Sequence, residues 1–283
     1  MMKILKMKDK ILSLKNSGKL TFFFTGIGSA FTKRVYQTNL LIMKGNDHVL
    51  VDCGTRCSES LNELGLNITD IGTFLITHSH ADHIGGLEEA SLMGMFFAKK
   101  KPSIVITENY QDILWEMSLR GGCAYNEEIN GSVLNFTDFW KIIRPERMPD
   151  YPRETYAANV GSINIKMFRT KHIPRTSKSW ETSFWSCGLI IDDRVMFTSD
   201  TRYDEELILS YSRLFRLENI FHDCQFFTGG VHASLDELNE LPREIKSKII
   251  LTHYGDNWET YEERVHDYGF AGLGLQHVFY QFD

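Results

Sequence analysis

Proline is scarce in this chain, six in 283 residues, and no Pro/Ser-rich or strongly charged stretch interrupts it. That excludes the usual signature of a linker between folded units. Residues 1–283 are therefore expected to form a single domain, with 1–19 an N-terminal extension and 121–152 an irregular insertion. Cysteine is sparse as well: five residues, at 53, 57, 123, 187 and 224, odd in number and irregular in spacing. No disulfide framework or CxxC pair fits that pattern, and reduced thiols in a cytoplasmic protein are expected. No apolar run approaches the roughly 20 residues that span a bilayer, so no membrane partner is expected. The Lys-rich first nineteen residues lack the unbroken apolar stretch and small-residue cleavage site of a signal peptide. They read as a short amphipathic helix or an extension that packs on a partner. Positive charge is in deficit too, with a formal net charge of −6, which argues against a broad basic surface for long nucleic acid.

What is present suffices for one large core: 42% of the residues are apolar and 24% charged. Apolar or alternating runs at 20–25, 39–43, 48–52, 73–77, 103–107, 162–168, 183–191, 194–198 and 248–251 predict strands. Turns are expected at 44–47 and at Asp192-Asp193. Residues 59–66, 84–99, 109–120, 204–211 and 235–241 read as helices, with a last helix after the 248–251 strand. Mostly β halves with helices outside predict an α/β chain of two packed sheets.

The run Thr77-His78-Ser79-His80-Ala81-Asp82-His83 places four metal-ligating groups within six residues, between a strand and a helix. Catalytic zinc takes a few His and carboxylate ligands and keeps one position open for water. A loop here can turn alternate side chains inward, with His78 and His80 toward one metal and Asp82 and His83 toward another. Further ligands must come from downstream, where His172, Asp200 and His253 each follow a predicted strand. Each alone would more often be structural than ligating.

This run matches the HxHxDH signature of the metallo-β-lactamase superfamily, and the resemblance extends along most of the chain. Phe24-Thr25-Gly26-Ile27-Gly28-Ser29 is similar to that family's opening strand and turn, and Val49-Leu50-Val51-Asp52-Cys53-Gly54 to its second motif. The resemblance implies a four-layer αββα sandwich of two mixed sheets flanked by helices. It implies that His78, His80 and His172 bind one metal, that Asp82, His83 and His253 bind a second, and that Asp200 bridges both. Asp52 would brace the metal loop by hydrogen bonds, and Asp82 belongs with the catalytic residues as well as the ligands. An all-N/O donor set suits two zinc ions per chain, with manganese or iron as alternatives. His80, where diiron relatives often carry Glu, and Asp200, where the β-lactamases of this fold carry Cys, both favour zinc.

His222-Asp223-Cys224 followed by Gly229-Gly230-Val231-His232-Ala233-Ser234 resembles the tRNA 3′-processing endonuclease branch and its small phosphodiesterase relatives. That resemblance makes His232 a general acid oriented by Asp223. The alternative is that His232 caps the 235–241 helix. His48, His222, His266 and His277 read as structural. Only 27 residues separate His172 from Asp200, too few for the long tRNA-holding arm of the processing enzymes. Arg175 and Lys178 offer phosphate donors and Trp180 an aromatic face, although their loop could be a solvated turn.

With a small nucleotide as the more economical substrate, the chain resembles the anti-Pycsar phosphodiesterases, which open cyclic nucleotides. The expected activity is dinuclear zinc-dependent hydrolysis of a small phosphodiester, a cyclic nucleotide, by a hydroxide shared between two metals. A lactonase or thioesterase on the same site, or a tRNA 3′-processing-type endonuclease, are the alternatives. Trp115, Tyr125, Phe136 and Trp140 could form the surface of an expected homodimer, or belong to the core.

Overall fold

The computed structural model describes residues 2–283. Two eight-stranded mixed sheets lie face to face. In the first, the spatial order is Lys3–Lys6, Val278–Gln281, Thr21–Gly26, Asn39–Lys44, Asp47–Val51, Thr73–Leu75, Ser103–Val105 and Lys141–Ile143. The second runs Glu146–Met148, Thr155–Val160, Ile163–Arg169, Cys187–Ile191, Val195–Phe197, Asn219–Asp223, Ile249–Thr252 and Gly272–Leu273. In each sheet the early strands pair antiparallel and the last four pair parallel.

Side chains alternate across a strand, and here both faces are apolar because both are covered. Phe22, Phe24, Leu40, Ile42, Val49 and Val51 point into the core between the sheets, where they meet Ile165, Leu189, Val195, Phe197 and Phe221. Their neighbours Phe23, Leu41, Met43 and Leu50 point the other way, under the helices of the first half. Ile190, Met196, Ile220 and Leu251 likewise pack beneath the helix Glu205–Leu214 and its neighbours. Helix, sheet, sheet and helix make the four layers expected from the sequence.

Several boundaries differ from expectation. The N-terminal segment does not form the amphipathic helix; it begins with a strand. Lys3–Lys6 pairs antiparallel with Val278–Gln281, with all four of its side chains exposed. Its charged residues are therefore compatible with an edge strand that buries backbone hydrogen bonds rather than side chains. Residues 121–152, expected to be irregular, contain two strands of the sandwich: Lys141–Ile143 and Glu146–Met148 are edge strands of the first and the second sheet. The strand Thr155–Val160 was not expected, and Ile249–Thr252 is not the last strand, because two more follow it. The strand expected at 183–191 begins only at Cys187, and the helix expected at 84–99 ends in a π-helical turn, Met93–Ala98. Trp115, Phe136 and Trp140 lie in the core under the first sheet, with Trp140 edge-on to Phe74 at 5.4 Å. Of the aromatics offered as a dimer surface, only Tyr125 is exposed.

Candidate metal centre

The strands Val195–Phe197, Asn219–Asp223 and Ile249–Thr252 run parallel, so their C-terminal ends reach one edge together. Asp200, Asp223 and His253 lie there. Asp47–Val51 and Thr73–Leu75 are parallel too, and deliver Asp52 and the His78–His83 loop to the same place. All seven candidate ligands expected from the sequence meet at this edge, in two groups that share Asp200. His78, His80 and His172 converge on one side, with His78 Nε2 3.0 Å and His172 Nε2 3.2 Å from His80 Nδ1. Asp82, His83 and His253 converge on the other, with His83 Nε2 3.2 Å and His253 Nε2 3.8 Å from Asp82 Oδ2.

One oxygen, Asp200 Oδ2, faces both groups. It lies 3.3 Å from His83 Nε2, 3.4 Å from His253 Nε2, and 3.7 Å from His78 Nε2 and from His172 Nε2. Yet Asp200 Oδ2, His83 Nε2 and His253 Nε2 are all buried without a hydrogen-bond partner. Unpartnered buried polar atoms are costly, at about 1–3 kcal/mol each. A lone pair on each, all converging, is what a bound cation would satisfy.

The far side of three of these rings is held in place. His83 Nδ1 lies 2.7 Å from Asp52 Oδ2, His172 Nδ1 2.9 Å from the Val231 carbonyl, and His253 Nδ1 3.2 Å from Thr38 Oγ1. A proton held at Nδ1 leaves Nε2 bare, which is how outer partners orient imidazole ligands. Asp52 also accepts from the Thr77 N–H at 2.8 Å, so one carboxylate ties the start of the His loop to its end. Three of these residues or their neighbours, Asp52, Ser199 and His253, hold positive φ angles of 66°, 50° and 58°. Such left-handed backbone in non-glycine residues costs of order 1–3 kcal/mol each and clusters where geometry matters to function. At Gly54 a Cβ would meet the Asp82 carbonyl oxygen at 2.2 Å, so only glycine lets the second motif pack against the His loop.

Burial pushes the pKa values of His78, His80, His172 and His253 down, His172 to about 4, so these rings are neutral and able to ligate. Burial would also lower His83, but Asp200, Asp52 and Asp82 around it raise it well above the usual value. Burial would raise Asp200, and the imidazoles of His253, His83 and His232 hold it well below the ordinary carboxylate range.

His232 stands beside the cluster, one-fifth exposed, with Nδ1 2.9 Å from Asp223 Oδ2 and 3.7 Å from Asp200 Oδ2. It does not cap the following helix, because Ser234 does so in a capping box with Glu237. Burial would lower its pKa, but Asp200 and Asp223 raise it to about 9. The Thr201 N–H holds the same Asp223 oxygen at 3.1 Å.

A cavity of about 490 Å³ opens onto His80, Asp82, Asp200 and His232. Arg175 lines a separate recess with Lys171, Arg202 and His232. Lys178 and Trp180 line a third, with Pro152 and Asp204, that contains none of the seven clustered residues. Thr38 and the Val231 carbonyl were missed in the sequence: a hydroxyl or main-chain oxygen behind a candidate ligand carries no local signal.

The two sheets, the helices outside them and this edge define the class. The chain has the metallo-β-lactamase fold, matching the metallo-β-lactamase fold protein YhfI from Bacillus subtilis with a TM-score of 0.64 over 93% of this chain and 100% of that one, at 16% identity. A diphosphatase of the PhnP family matches with a TM-score of 0.68 over 94% and 98%, at 14% identity. Within that class it belongs to the anti-Pycsar protein Apyc1 family, whose model matches residues 20–280. It is 36% identical to the anti-Pycsar protein Apyc1 of Bacillus phage BSP38, covering 89% of this chain and 96% of that one. It is 35% identical to the same-named protein of Paenibacillus harenae, over 84% and 91%.

Proposed function

We propose that the chain is a dinuclear zinc phosphodiesterase that opens a cyclic nucleotide. The observation that carries this is the single Asp200 oxygen facing two three-residue donor groups, with His232 held against Asp223 beside it. His78, His80 and His172 would hold one ion and Asp82, His83 and His253 the other, with Asp200 between them. Two zinc ions there would supply an acidified water and positive charge opposite a phosphate. The nitrogen and oxygen donors fit zinc, with manganese or iron as alternatives. The resemblance to anti-Pycsar phosphodiesterases supports the cyclic nucleotide, and the short His172–Asp200 interval disfavours long RNA. Five buried, unpaired cysteines fit a cytoplasmic protein.

The chain's own part is positioning and proton transfer. Asp52, the Val231 carbonyl and Thr38 fix the His83, His172 and His253 rings. Asp223 accepts from His232 Nδ1 and stabilises its positive charge, leaving the Nε2–H free. That proton passes to the ribose oxygen as its bond to phosphorus breaks, so the leaving group departs as a neutral hydroxyl. The test is a panel of 3′,5′-cyclic nucleotides incubated with zinc-loaded protein. Conversion to linear nucleoside monophosphates is expected. No turnover of any member by protein carrying two zinc equivalents would contradict the proposal.

A further inference from the structure

A second cavity of about 370 Å³ adjoins the metal edge and shares His232 and His253 with it. One wall is the loop carrying Phe31 and the other is the loop carrying Phe227. Phe31 is 88% exposed and Phe227 66% exposed, although exposing a large apolar ring is unfavourable and pairs of them rimming one hollow mark a binding surface.

Neither ring is displayed by a loose loop. Asp256 accepts from the Lys33 N–H at 2.9 Å, from the Arg34 N–H at 3.1 Å and from the Thr32 hydroxyl. The Ser29 N–H donates to the Tyr254 carbonyl at 3.0 Å, so the Phe31 loop is tied on both sides of its tip. The Phe227 loop wraps around one amide: Gln225 Nε2 donates to the Phe227 carbonyl at 2.9 Å and to the Gly229 carbonyl at 3.0 Å. Gly230, at φ 138°, lies so close to that amide that a Cβ would meet Gln225 Oε1 at 2.8 Å. Both backbones are fixed while both rings are left without cover.

We propose that this cavity is the subsite for the planar base of the substrate, with Phe31 and Phe227 as its stacking faces. The proposal rests on the phosphodiesterase reading above, since it places the base beside a phosphate held at the metal edge. The adjacency supplies the reason: a ligand anchored at His253 and His232 can extend its remaining atoms into this hollow. The cavity's size falls in the range of small-ligand sites, and its lining is mostly apolar with the Asn257 amide at one side. Asp256 then acts as a positioning residue for Phe31.

The experiment compares a 3′,5′-cyclic nucleotide with base-free ribose 3,5-cyclic phosphate, on zinc-loaded wild type, Phe31→Ala and Phe227→Ala. Both side chains are at the surface, and thermal melting checks that the variants stay folded. Each variant should raise KM for the nucleotide about tenfold, as expected for losing a stacked base, with kcat nearly unchanged. KM for the base-free compound should not move. Equal effects on both compounds, or no effect on either, would overturn the subsite. A parallel calorimetric titration with a cyclic nucleotide phosphorothioate reads binding without turnover. If wild type binds it and hydrolyses nothing, the phosphodiesterase reading fails while the subsite stands on the variants' weaker binding. Variants that bind it as wild type does would remove the subsite whatever the turnover.

Discussion

His232 is the residue on which the proposed chemistry turns, and Asp223 is what makes it an acid. A buried imidazole with no partner loses its proton; this one is kept charged by Asp200 and Asp223. Bound cations would offset the share owed to Asp200, leaving Asp223 as the main support. His232→Ala should therefore keep two zinc equivalents, measured by metal analysis, while kcat falls by about 10²–10⁴-fold. Unchanged turnover would remove the residue from the mechanism. In Asp223→Asn the carboxylate that raises the pKa is gone, so the acid form is lost at lower pH. The alkaline limb of the kcat profile should move down in pH, and an unmoved limb would show that Asp223 does not set it. His48 offers a separate check on stability. Burial lowers its pKa, and the Gly72 N–H donates to its Nε2 at 2.9 Å. The unfolded chain takes up this proton first, so stability is full above about pH 6.5 and falls as pH drops below that. In His48→Gln, whose amide oxygen can accept the same N–H, the fall in Tm between pH 7 and pH 5.5 should be shallower than in wild type. At this scale the site was legible where ligands are crowded in sequence, as in His78–His83, and at strand ends. It was illegible at Thr38 and Val231, which act through contacts the chain makes only after folding.

The elements read best from sequence were those buried on both faces. The strands Thr21–Gly26, Asn39–Lys44 and Asp47–Val51 carry continuous apolar runs because each face meets a core, and that is visible in one dimension. Edge strands are different: Lys3–Lys6 exposes all four side chains and is specified by its neighbour's free hydrogen-bonding groups, and Lys141–Ile143 is only three residues long, with Ile142 and Ile143 half-buried. That is why the segment 121–152 looked irregular although it supplies an edge to each sheet. Trp140, immediately before one of these edges, anchors the region in the first core. Trp140→Ala should cost about 3–5 kcal/mol, read as a lowered midpoint in denaturant unfolding. A change under 1 kcal/mol would mean that the region is peripheral after all.

Across the whole molecule, two sheets brought face to face place candidate ligands from four separate segments, 78–83, His172, Asp200 and His253, at one edge, with strained backbone at Asp52, Ser199 and His253. Such a site concentrates unpaired lone pairs and charge that folding alone does not compensate and that metal binding would. Any ligand that binds only the folded state stabilises it by mass action. Chelation should therefore lower Tm and added zinc restore it, and a Tm indifferent to both would argue that the cluster is not a metal site. The proposed chemistry requires two ions to work together through Asp200. Its most direct test is a zinc titration of metal-free protein with cyclic-nucleotide hydrolysis followed at each step. Activity should climb to a plateau at two equivalents per chain in wild type, and Asp200→Asn should not recover it at any zinc level. Full activity at one equivalent, or protein loaded with two equivalents that hydrolyses no cyclic nucleotide, would contradict it.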